Sequence, residues 1–214
     1  MTSDGLARFN RIIGVSSSIE LFIKCHLILE NFLDGLLGTL IVEPSAWKIS
    51  RETFSRKVSM CLALGLLSDS DGQSLRAVNG LRNKMAHDLE FSITRNQLEQ
   101  LVSSLAPPIR SVYQALAVDD EVPSDVLHQL PLVFLPLIMS VGHRLQMQRY
   151  ECDNKEKLAA LRNALAIDEV IGERKVLKRD ARPTETQIRE SIGLPNPPLP
   201  TAVFDLLPEG NAKS

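Results

Sequence analysis

Arg82 and His87 lie five residues apart in the stretch Leu81-Arg82-Asn83-Lys84-Met85-Ala86-His87-Asp88. They are the two side-chain types that phosphodiester cleavage without a metal most needs. In such RNA cleavage the ribose 2′-hydroxyl attacks the adjacent phosphorus. A base takes its proton, an acid protonates the leaving 5′-oxygen, and a cation offsets the charge growing on the phosphoryl oxygens. An imidazole serves as base or acid because it titrates near neutrality. Positioned acid–base catalysis contributes about 10²–10⁴-fold. A guanidinium is a permanent, forked cation for the phosphoryl oxygens. Asn83 adds an amide able to orient either group.

The spacing constrains how the pair can meet. On a straight helix, five residues at ~100° each turn Arg82 about 140° away from His87. Asn83 and His87, four apart, share a face. The site closes more readily if two copies of the helix meet across a two-fold axis, so that two arginines and two histidines line one cleft. The architectural alternative is that Arg82 pairs with an acid on a neighbouring helix while His87 caps the last carbonyls.

The elements that must position these residues read as helices throughout. Residues 16–41 carry the strongest signal. Ser16, Ser17 and Ser18 offer N-caps, Glu20 follows Ser17 as in a capping box, and apolar residues from Ile19 to Leu40 recur at helical spacing. Residues 51–67 form a second helix with a basic start and an apolar, buried C-terminal half. Residues 68–72 read as a turn, and residues 73–87 as a third helix with Leu75, Val78, Leu81 and Met85 on its core face. A fourth opens near Thr94 and is broken by Pro107-Pro108. Residues 118–124 read as an acidic loop, 124–150 as an apolar helix interrupted by Pro131 and Pro136, and 151–172 as a more polar helix. The remainder is charged, then Pro-rich, with a short helix near 184–192 and an apolar patch at 201–207. With no alternating strand pattern, the fold class is all-α. The organisation expected is a helical bundle over 1–118, a helical extension over 119–172 and an extended or disordered Pro-rich tail over 173–214.

Composition narrows the function classes. The 214 residues hold 24 Lys+Arg against 26 Asp+Glu, a net charge of −2, which argues against a broad basic face gripping many phosphates. The three cysteines, Cys25, Cys61 and Cys152, sit in helical contexts and read as buried thiols of a reducing compartment. The longest apolar run, residues 130–141, falls short of the ~20 residues a membrane span needs. No apolar leader core is visible at residues 1–10. The expectation is a cytoplasmic protein without membrane contact. His128 and His143 lack Cys or carboxylate partners at ligand spacing, so no metal site is expected, and no phosphate-cradling glycine loop calls for a cofactor.

Arg82-Asn83-x-x-Ala86-His87 on a helix end, after a long first helix and a buried second one, resembles the HEPN superfamily. Its signature is Arg, a following polar residue, and His after a gap of four to six; the gap here is four. The stretch from Lys57 to His87, with Leu64-Gly65-Leu66-Leu67 before the turn, is also similar to the mannitol operon repressor group of helical proteins. Together the resemblance covers roughly residues 16–106. It implies an HEPN-like bundle and, for many members, a metal-independent endoribonuclease of toxin–antitoxin, defence or RNA-processing systems, with its site at a homodimer interface. Carried over, Arg82 and His87 are the catalytic pair and Asn83 the supporting polar residue. Glu30 and His26, four apart on the first helix, are further supporting candidates, or simply pair with each other on a solvated face. Lys84, Arg51, Arg56 and Lys57 are candidates for a short basic RNA groove. An antitoxin or regulatory protein would be a second partner. The competing reading is a non-catalytic regulatory module of the mannitol-repressor type, in which the motif holds helices together and residues 124–150 or the tail bind a protein.

Overall fold

The computed structural model describes residues 14, 17–41, 43, 46–88, 90–117, 125–174 and 184–199. These residues are helical with no strand among them, as the periodicity predicts. The expected loop at 118–124 and the apolar patch at 201–207 lie outside the described residues.

The bundle is assembled on α1 (Ser18–Gly38), which buries ten residues including Phe22, Leu29 and Leu33. Fully burying one such side chain is worth about 1.5–3 kcal/mol. The Ser17 side chain caps α1 by accepting from the Glu20 backbone N–H at 3.2 Å. The Glu20 carboxylate does not complete a capping box; it pairs with Lys24 at 3.0 Å. A short 3-10 turn (Ile49–Arg51) precedes α2 (Phe54–Ala63), capped by Thr53. Gly65, at φ +71°, takes the left-handed conformation that ends this segment. Leu66 and Leu67 beyond it are buried, but Leu64 is 51% exposed, so the C-terminal end of this segment is less buried than its composition suggests.

The motif helix α3 (Asp69–His87) starts earlier than expected. Ser68 and Asp71 form a reciprocal capping box, so residues 69–72 are its first turn rather than a loop. Leu75, Val78 and Leu81 face the core, and Met85 packs partly against it. Thr94 caps α4 (Arg95–Ser104) with a second box through Gln97. At the Pro107-Pro108 break α5 (Pro107–Ala117) begins. The Ser74 hydroxyl ties this corner to α3: it accepts from the Ala106 N–H at 2.9 Å and lies 3.2 Å from the Ser104 carbonyl.

Helix α6 (Val126–Asp153) contains both prolines. By length and composition it would cross a membrane, yet Leu130, Val133, Phe134, Leu137, Ile138 and Val141 are all buried in the bundle core. Phe134 meets Phe22 edge-on, with ring centroids 5.1 Å apart. This burial accounts for its apolar character.

Contacts divide the described residues into two units, one up to residue 146 and one from residue 147 to 198. The division falls inside α6. In the second unit, α7 (Lys155–Arg174) and α8 (Glu185–Ser191) enclose a small core of Leu161, Ile188 and Leu194. There the Tyr150 hydroxyl donates to the Pro195 carbonyl at 2.6 Å and accepts from Arg189 at 3.2 Å. Cys25 and Cys61 are buried, and burial pushes each thiol up to about 12. Cys152, expected inside, is exposed.

Candidate functional site

Helices α1 and α3 build a pocket of about 210 Å³ in the bundle unit. From α1 come His26 and Glu30, one turn apart, with Ile19, Ile23 and Leu27 at four-residue steps along the adjoining stripe. From α3 come Arg82, Met85 and Ala86. The polar groups are thus Arg82, His26 and Glu30, and the rest of the lining is apolar. The stripe continues to the surface: Ile23 is 45% and Leu27 52% exposed. Arg82 forms no ion pair among the described residues, so it is not tied to an acid on the first helix.

His26 is 6% exposed, and its Nε2 is buried without a hydrogen-bond partner. Its ring lies over Phe54, with centroids 4.3 Å apart. Burial lowers its pKa; Glu30 and the Asn79 side chain oppose that shift, while Arg82 and Lys57 add to it. The result is a neutral imidazole at the pocket wall. Asn79 escaped sequence analysis, although it sits three residues before Arg82 on the same helix.

His87 is the last residue of α3, exposed and outside the pocket lining. Within one chain, then, the structure brings Arg82 to His26 and Glu30 and leaves His87 on the surface. Asn83 and Lys84 are exposed on the helix as well. Arg51 ends the 3-10 turn, exposed, and Arg56 is exposed and paired with Glu52 at 3.1 Å.

Lys57 cannot serve an RNA groove. It is 1% exposed and its ammonium bridges Glu30 at 2.8 Å and Asp34 at 2.7 Å. Burial opposes its charge, but hydrogen bonds and charge from Asp34 and Glu30 outweigh that and raise its pKa. The signal was present in the spacing: Phe54, Lys57, Val58 and Cys61 fall on one helical face, and the other three are core. Lys57 therefore anchors Glu30 from behind. Among the described residues no group of three or more His, Cys, Asp or Glu is placed to hold a metal ion.

Compared with known protein families, curated proteins and solved structures, the chain matches none.

Proposed function

We propose that the protein is a metal-independent endoribonuclease of HEPN type, acting as a homodimer in the cytoplasm with a composite site built on Arg82 and His87. The observation that carries this reading is an unpaired Arg82 in an open pocket, with an exposed histidine at the end of the same helix. Neither residue is used up by the fold. The exposed Ile23 and Leu27 beside them form the face a second copy would cover, and the site is incomplete without it, because one chain turns Arg82 and His87 apart. In the dimer, Arg82 neutralises the phosphoryl oxygens, and His87 from one or both subunits moves the protons. Exposed Lys84 extends the cationic surface, and Asn83 orients the imidazole. Toxin, defence and RNA-processing roles all use this chemistry, and a protein inhibitor such as an antitoxin would act by covering the same face.

The test is cleavage of a mixed-sequence RNA in EDTA. The expected products carry 2′,3′-cyclic phosphate ends, and His87→Ala abolishes them while the melting temperature stays near wild type. A folded, dimeric protein that cleaves no RNA would overturn the enzyme reading. The same exposed apolar stripe favours a second reading, a non-catalytic regulator that docks a protein there. It predicts that His87→Ala costs stability and partner binding, with no cleavage to lose.

A further inference from the structure

The motif helix carries a second exposed feature beside the pocket. At ~100° per residue, Gln73, Arg76, Gly80, Asn83, Lys84 and His87 fall within about 100° of arc on α3. All six are exposed. They form a band that starts in the second turn of the helix and ends on its last residue. From Arg76 to His87 it runs about 16 Å at ~1.5 Å per residue. Arg82 and Met85, which line the pocket, lie outside this arc.

The band is cationic and its cations are free. On α1, α4 and α8 a cation is answered by a carboxylate four residues away: Lys24 by Glu20, Arg95 by Glu99, Arg189 by Glu185. Arg76 and Lys84 form no ion pair among the described residues. The acids of α3, Asp69 and Asp71, both stand in its first turn, before the band begins, and Asp88 follows the band as the C-cap. Between the two cations, at four-residue steps, sits Gly80. Glycine weakens a helix interior. Gly72 of the same helix is required by packing, because an added Cβ would meet Leu62 at 2.7 Å. At Gly80 an added Cβ would meet nothing within 4 Å, so the chain's own packing requires no glycine there. The effect is a stretch of bare helix backbone between two unanswered charges.

Resting on the ribonuclease reading above, we propose that this band is the track along which a single RNA strand reaches His87. Arg76 and Lys84, about 12 Å apart along the axis, each hold a phosphate. Gly80 lets the sugar–phosphate chain between them lie close against the helix. The band is one helix wide on a chain of net charge −2, which fits one strand; a duplex needs a broader basic surface. Arg76 meets the strand away from the cleaved bond, so it contributes to binding and takes no part in the proton transfers.

The experiment measures binding of a 2′-O-methyl RNA of about ten nucleotides, within the usual span of single-strand sites, to the full chain across a salt series. This probe has no 2′-hydroxyl to attack and stays intact. Arg76→Gln and Lys84→Gln should each reduce the slope of log affinity against log salt by about 0.7. Gly80→Leu should weaken binding severalfold while the melting temperature stays level or rises, since leucine is the better helix residue. On cleavable RNA in EDTA, Arg76→Gln should raise KM and leave kcat unchanged, with a dinucleotide substrate unaffected. An unchanged salt slope in Arg76→Gln overturns the track. So does a Gly80→Leu protein whose sedimentation changes while its RNA affinity does not, because the band is then a contact between subunits. Cleavage that persists with either result leaves the nuclease standing. Binding that weakens as expected in a protein that cleaves nothing supports the track and removes the nuclease.

Discussion

Two polar clusters share helix α1, and they are opposites. Around Lys57 the charges are answered: the ammonium is sealed from water and held by Glu30 and Asp34. One turn earlier, His26 has a buried ring nitrogen without a partner, and Arg82 opposite it has no ion pair. The first cluster holds α2 against α1. The second borders a pocket, onto which Arg82 opens without an ion pair. Glu30 belongs to both, so the closed cluster fixes one wall of the open one. The difference separates a buried charge that builds the fold from polar groups that await a partner.

The largest expected effect breaks the open region. Arg82→Ala or His87→Ala should lower RNA cleavage by about 10²–10⁴-fold, the worth of one acid–base or charge-stabilising group. Both should melt near wild type, read by circular dichroism. The closed region should respond in the reverse way. Lys57→Met leaves Glu30 and Asp34 side by side without their cation. Breaking a buried pair costs about 3–5 kcal/mol, and the partial exposure of both acids places this one near the lower bound. Such a loss should lower the melting temperature by roughly 6–12 °C, at about 2–4 °C per kcal/mol for a chain of this size.

A further substitution falls on the apolar lining of the open pocket. Leu27→Lys on the exposed stripe should turn a dimer into a monomer in sedimentation or scattering, with cleavage lost in parallel. The smallest effect is a pH dependence. Burial lowers the folded-state pKa of His26 below its unfolded value near 6.5, so the unfolded chain binds the proton more readily. Its contribution to stability is therefore present above about pH 6.5 and is lost as pH falls through that value toward the folded pKa. Melting curves from pH 7.5 down to 5 should show the decline, and His26→Gln should flatten it.

The helices were legible because their signals are local. Ser17 and Thr94 cap where capping chemistry predicts, and most of the apolar stripe of α1 is core, with Ile23, Leu27 and Leu40 exposed. Where the sequence misled, two structures share one local signal. Ser68 to Gly72 is equally a turn and a helix start; the Ser68–Asp71 capping box decides for the helix. Lys57 looked like part of a basic groove by residue type, while its helical face placed it in the core. His26 and Glu30 were weighed only as supporting residues, because nothing in a linear spacing shows that α3 brings Arg82 and Asn79 against them. Cys152 is exposed because it lies near the end of α6, beyond the part of that helix the bundle core covers.

The central claim, that groups from two copies act on one phosphate, is tested most directly by mixing subunits. Arg82→Ala and His87→Ala proteins, each inactive alone, are unfolded together, refolded together and assayed on RNA in EDTA. Partial recovery of cleavage is the predicted result, because a mixed dimer restores one intact arginine and one intact histidine to a shared cleft. No recovery from variants that are each folded and mixed in the same dimer would contradict it.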